Sequence, residues 1–276
     1  MTPVFEILPN VLTINTEKSN LFIELSRSGI SYTVENESDK AFTGVSLYNF
    51  EKINSPVELS AELKQLLLES SLLNNKFAKT IVFISLPECL QVPANKYNVE
   101  NVRESIEFVF GDLFDHLFFA DEVAGSNIIN VYSIPLLLHN TIREEFPEAR
   151  FIHQNTILIR SLPSEGDHLN VLFYPGSLVA CLVKEGKLQL VQHFAYQSGE
   201  DVAWHLLNLC KQFNMKDVLL TLGGMIDVNS SLYNDIYKYF LNISFYALPS
   251  EVDYDESIKE LPQHFFSPLF SAALCE

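Results

Sequence analysis

The sequence predicts an α/β protein of two duplicated lobes, each a mixed β-sheet flanked by helices. Three observations carry that prediction. Leu21–Asn36, "LFIELSRSGISYTVEN", places apolar and β-branched runs on both sides of a Ser-Arg-Ser-Gly turn, the pattern of a hairpin. "KTIVFISLP" (79–87) and "DVLLTLGG" (217–224) are short continuous apolar runs, as expected of parallel strands covered on both faces. The order hairpin, third strand, helix, buried strand, helix, strand is then met twice along the chain, which fits two α/β units better than one.

Taken in order, "AFTGVSLYNF" (41–50) supplies a third strand beside the first hairpin. "SPVELSAELKQLLLESSLL" (55–73) opens on Ser55-Pro56, a start signal with proline at the first helical position, and spaces Leu59, Leu63, Leu66 and Leu67 on one face. "NVENVRESIEFVFGDLF" (98–114) reads as one amphipathic helix, "NIINVYSIP" (127–135) as a strand, and "LLLHNTIREEFPE" (136–148) as a helix stopped by Pro147. "ARFIHQNTILIRSL" (149–162) reads as a strand entering a short helical or extended segment. The pattern then restarts, giving lobes of residues 1–162 and 163–276. Residues 169–196 hold two strands around Pro175-Gly176 and a third after Glu185-Gly186; 199–213 reads as helix, 231–240 as helix and 243–248 as strand. At the end of the chain, a helix from Ser267-Pro268 aligns Phe270 and Leu274 on one core-closing face.

Composition removes several function classes. Thirty-five acids against eighteen bases give a net charge of −17. A phosphate-backbone binder needs a basic footprint, so direct nucleic-acid binding is not expected, whereas a basic protein partner is easily accommodated. The apolar run "VLFYPGSLVACLV" is broken by Pro175-Gly176 and falls short of the roughly 20 residues that a membrane helix needs. The start, "MTPVFEILPNVL", lacks the basic beginning and long apolar core of a signal peptide. Cys89, Cys181, Cys210 and Cys275 form no CxxC pair, and the expectation is reduced, structural thiols in a cytoplasmic protein.

Three stretches close predicted strands: Glu24-Leu25-Ser26 with Gly29, Tyr174-Pro175-Gly176-Ser177, and Gly223-Gly224 after "VLLTL". With the doubled element order, these resemble the actin-like ATPase superfamily of ribonuclease H-like lobes, which includes sugar kinases and the Hsp70 ATPase domain. Within it the chain looks like the pilus-assembly and secretion-system members, and more narrowly like an uncharacterised bacterial family of actin-like fold. The resemblance implies ATP and magnesium held by two hairpins, each starting Asp-x-Gly, and a Gly-Gly pair that leaves room for adenosine. Glu24, Ser26 and Gly29 stand at the first hairpin's position, with Arg27 in the turn. Gly176 and Ser177 stand at the second, where Leu172 or Phe173 replaces the expected acid and Pro175 lacks an amide donor. Gly223 and Gly224 match the adenosine element.

No other chemistry competes. The seven histidines show no HxxxH or HxH spacing, so no metal site is expected, and neither GxSxG nor GxxxxGK[ST] occurs. The acidic tract 250–260 is most simply a solvated loop; its other reading is a dock for a basic partner. The expectation is therefore a catalytically degenerate actin-like-fold scaffold with an unidentified protein partner, no catalytic residues and no cofactor. The alternative is a nucleotide-binding ATPase or small-molecule kinase with atypical phosphate motifs, in which Asp201 or Asp227 supplies a further acid.

Overall fold

The computed structural model describes residues 2–9, 14–51 and 53–274, and they form two compact units. The first comprises Met1–Arg160 and Ser250–Leu261, the second Ser161–Pro249 and Pro262–Leu274.

In the first unit β1 (Phe5–Ile7) precedes β2 (Ser19–Ser26), β3 (Gly29–Asn36) and β4 (Phe42–Asn49). Helix α1 (Pro56–Glu69) then crosses over to β5 (Lys79–Ser85). The inserted β6 (Cys89–Pro93), α2 (Val102–Phe110), β7 (His116–Val123) and β8 (Ile128–Pro135) follow, then α3 (Leu136–Glu145), β9 (Arg150–His153) and α4 (Gln154–Arg160). The main sheet has the order β1-β4-β3-β2-β5-β9, with β5 parallel to β2 and β9 parallel to β5. Strict alternation along β2 sends Leu21, Ile23 and Leu25 to one face, where they meet Leu59, Leu63, Leu66 and Leu67 of α1. Each such leucine contributes about 1.5–3 kcal/mol by leaving water. The opposite face carries Phe22, whose ring lies 6.3 Å from those of both Phe42 and Phe83.

Ser55 caps α1 by accepting a hydrogen bond from the Glu58 amide at 3.2 Å, with Pro56 following at the first turn. Ser55→Ala is expected to cost about 1 kcal/mol, read by urea denaturation with unchanged m-value.

The second unit repeats the order β4-β3-β2-β5-β9 on its own, without a counterpart of β1. Its β10 (His168–Tyr174), β11 (Ser177–Lys184) and β12 (Lys187–Ala195) form an antiparallel meander. Then α5 (Gly199–Gln212), β13 (Leu219–Gly224), α6 (Ser231–Tyr237) and β14 (Ile243–Phe245) complete the sheet β12-β11-β10-β13-β14, with β13 and β14 parallel to β10. Leu169, Val171 and Phe173 of β10 pack with Val202, Leu206 and Leu209 of α5.

Four expectations are corrected. The helix expected over 98–114 is confined to Val102–Phe110, because Gly111 at φ 83° ends it and β7 begins at His116. Of the added three-stranded sheet β6-β8-β7, the sequence pattern announced only β8, as the strand expected over 127–135. Residues 250–260 are more than a solvated loop. Tyr254 pairs with Phe42 in a parallel bridge, with rings 5.6 Å apart, and a short helix α7 (Glu256–Lys259) buries Ile258. That segment therefore packs with the first unit rather than the second. Finally, α8 (Gln263–Leu274) starts before Ser267 and carries Pro268 inside it; Phe266 and Phe270 are buried while Leu274 is exposed. Cys89 and Cys181 are buried free thiols and Cys210 is half-buried, whereas Cys275 lies outside the described residues. Among the described residues no helix is long and apolar enough to cross a membrane.

Candidate functional site

The first hairpin turns through Arg27 and Ser28, with Leu25 paired to Ile30. Glu24 is buried in β2, between Ser31 of β3 and Phe83 of β5, and its Oε2 accepts from the Ser31 hydroxyl at 3.5 Å. Ser26 Oγ accepts the Ser28 amide at 3.2 Å and donates to the Gly29 carbonyl at 3.1 Å, so it serves the turn itself. Gly29 is required by close approach: a Cβ there would stand 2.3 Å from the Tyr48 carbonyl oxygen. Arg27 forms an ion pair with Glu88, on the segment leaving β5.

At the carboxyl ends of β2 and β5, Arg27 and Glu88 border a crevice of about 220 Å³ that Ser55, Leu86, His116 and Pro135 also line, whereas Glu24, Ser26 and Gly29 do not line it. Ligands of open α/β sheets bind at such strand ends. Its electrostatics do not favour phosphate. Glu88 neutralises Arg27, Glu58 already occupies the start of α1 by accepting the Asn54 amide at 2.7 Å, and burial lowers the His116 pKa, keeping that ring neutral.

Behind the crevice lies a buried polar network that ties the inserted sheet to the main one. Asp121 Oδ2 on β7 accepts from the His153 amide and the Thr156 hydroxyl, each at 2.8 Å, and Oδ1 accepts from the Tyr132 hydroxyl at 3.3 Å. Thr156 in turn accepts from Asn130 Nδ2 at 2.9 Å, and Asn130 Oδ1 accepts from Gln91 at 2.9 Å and from the Cys89 thiol at 2.8 Å. His153 Nδ1 accepts the Asn155 amide at 3.1 Å, so Nε2 carries the proton and donates to the Leu86 carbonyl at 2.9 Å. Burial raises the Asp121 pKa against the lowering effect of its donors, and burial pushes the Cys89 thiol far up, leaving it protonated and unreactive.

In the second unit, Tyr174 and Ser177 face each other across Pro175-Gly176, with Gly176 at φ 74°, the combination of a type II turn. Tyr196 fastens this turn: its amide donates to the Gly176 carbonyl at 3.0 Å and its hydroxyl to the Tyr174 carbonyl at 3.0 Å. Leu172 and Phe173 are both buried. Gly223 and Gly224 sit beside them on β13, in register with Leu172 and Phe173 respectively. The space over Gly223 is taken by Tyr246, whose ring an added Cβ would meet at 2.5 Å. Gly224 has φ +74° and its Cβ position lies 2.2 Å from the Phe173 carbonyl oxygen, so backbone geometry alone demands glycine there. Asp201 is the third residue of a capping box with Ser198 at the start of α5, and Asp227 Oδ1 accepts the Asn229 amide at 2.6 Å. Among the described residues no group of three His, Cys, Asp or Glu is arranged to hold a metal.

The predicted residues thus fall into two sets. Glu24, Ser26 and Gly29 meet at one hairpin; Gly176, Ser177, Gly223 and Gly224 meet at the same end of the other sheet. Sequence reasoning missed Glu88, Asp121 and Tyr246, which follow no motif and become neighbours only through sheet pairing.

Solved structures with the actin-like ATPase fold are similar to this chain. One is a protein of actin-like ATPase fold and unknown function from Bacteroides thetaiotaomicron, at TM-score 0.72 and 20% identity over 84% of this chain and 91% of that one. Another is the PilM-PilN type IV pilus biogenesis complex, at TM-score 0.59 and 14% identity over 93% and 98%. A third is the ethanolamine utilization protein EutJ from Carboxydothermus hydrogenoformans, at TM-score 0.53 and 7% identity over 96% and 93%. No curated protein matches the chain. Residues 9–243, most of the sequence, match the family described as Protein of unknown function (DUF3822), and the chain belongs to that family.

Proposed function

We propose that this protein is an actin-like-fold scaffold that has lost ATP hydrolysis and works in the cytoplasm by binding another protein. The observation that carries the reading is the second hairpin. Where the superfamily places an aspartate, this chain has Leu172 and Phe173 buried in the sheet, followed by a proline with no amide to offer. The resemblance implies a carboxylate on each hairpin for magnesium and its water, and in this chain only the first hairpin carries one, Glu24, so the usual arrangement cannot be built. In this reading Glu24, Ser26, Gly29, Gly176, Ser177, Gly223 and Gly224 are remnants of a nucleotide cleft. They are retained for turns and close backbone approaches, while the fold supports a surface for a partner. The similar PilM-PilN structure is itself a complex, which is the kind of role assigned here.

The alternative, a nucleotide-binding ATPase or kinase, has Glu24 hold magnesium, Ser26 to Gly29 and Gly176-Ser177 receive phosphates, Gly223-Gly224 seat adenosine, and Asp201 or Asp227 supply a further acid. Thermal-shift titration separates the two, because a ligand that binds the native state raises its apparent stability. The scaffold reading expects no shift with millimolar ATP or ADP plus magnesium. A saturable rise in Tm supports the alternative.

A further inference from the structure

Helix α2 and its exit are unusually apolar on the outside. Val102 and Ile106 bury one side of the helix against Val131 of β8. Yet Phe108 is 91% and Phe114 77% exposed, with Val109 and Phe110 exposed between them. Burying a phenylalanine is worth about 1.5–3 kcal/mol, so seven consecutive residues leave several kilocalories of burial unused. Single exposed hydrophobes are ordinary, but aromatic anchors gathered on one short element mark an interaction surface.

The charges around them select the occupant. Glu100, Glu104, Asp112 and Asp115 are exposed around this segment. The one base of α2, Arg103, is paired to Glu107 at 3.0 Å and lies over the Phe118 ring. A second copy of the chain, at −17, would bring the same acidic rim against itself in a two-fold contact. An anionic membrane surface is repelled for the same reason.

We propose that the α2 surface around Phe108 and Phe114 binds a protein segment that carries apolar anchors flanked by Lys or Arg. This rests on the scaffold reading and names its partner's chemistry. Anchors enter among the phenylalanines, and basic side chains meet the acidic rim, giving orientation and association rate.

The test uses the full chain and two defined probes: an amphipathic helical peptide of about 15 residues built from Leu and Lys, and its Leu/Glu counterpart. Hydrogen exchange should show protection confined to residues 99–114 with the Leu/Lys peptide and none with the other. The affinity should weaken about tenfold between about 50 and about 500 mM NaCl. The double variant Phe108→Ser, Phe114→Ser should bind at least about tenfold more weakly while keeping its Tm, since neither ring supports the core. Four results would each overturn the proposal: no binding, protection centred elsewhere such as 250–261, equal binding of the Leu/Glu peptide, or a self-associated chain in sedimentation that the double variant dissociates. ATP turnover by the protein would remove the scaffold reading without touching these outcomes, and a failed peptide titration leaves that reading standing.

Discussion

Asp121→Ala is expected to destabilise the protein by about 3–5 kcal/mol, because it removes the acceptor that three donors of a buried polar network share. The His153 amide and the Thr156 hydroxyl would lose their acceptor in surroundings that exclude water, and Tyr132 would lose a third bond. Each donor left unsatisfied costs about 1–3 kcal/mol. Asp121→Asn keeps an oxygen for the two shorter bonds and should cost much less. Both variants lack the titrating carboxyl, so pH dependence separates each of them from the wild type. Burial raises the folded-state pKa of Asp121, so its protonated form is favoured by folding. The stability it contributes is fully present below the ordinary aspartate pKa and is lost as pH rises through the raised value. Stability of Asp121→Asn relative to wild type should therefore improve from acid to neutral pH. Urea denaturation across that range measures it, and a flat difference would mean that the carboxylate is not desolvated.

Gly224→Ala should be strongly damaging, at about 3 kcal/mol. A left-handed backbone costs an L-residue about 1–2 kcal/mol. The new methyl would also press on the Phe173 carbonyl, a backbone atom that cannot swing aside. Gly223→Ala meets a side chain instead, so its cost should shrink in a Tyr246→Ala background. That positive coupling is expected only if the ring fills the space over Gly223. Chevron or equilibrium denaturation of the four proteins gives the answer. Effects on ATP affinity without loss of stability would argue that the glycine pair serves a nucleotide rather than the sheet.

Much of the fold was legible because its signals are local. Ser55-Pro56 announced α1, apolar and β-branched runs on both sides of a Ser-Arg-Ser-Gly turn announced the hairpin, and unbroken apolar runs announced β5 and β13. Of the inserted sheet only β8 was legible, while β6 and β7 were not. Strand β7, "HLFFADEV", mixes a run of apolar residues with two acids, and one of those acids points into a polar network rather than to water. Its pattern reflects tertiary partners that no window of sequence contains. The same holds at the candidate sites. Glu24, Gly29 and Gly176 could be placed from turn chemistry, but the ion pair that ties Arg27 to Glu88 joins residues 61 apart in sequence, and Tyr246 reaches Gly223 only through the sheet. The tract 250–260 looked solvated because its acids outnumber its anchors, Tyr254 and Ile258, which nevertheless hold it.

Under the proposed scaffold function, packing has replaced hairpin chemistry and leaves no hydrolytic centre. Phosphate release from magnesium-ATP by the purified chain, beside its Glu24→Ala variant, tests this most directly. No turnover above buffer is expected of either protein. Sustained turnover by wild type that Glu24→Ala abolishes would contradict it.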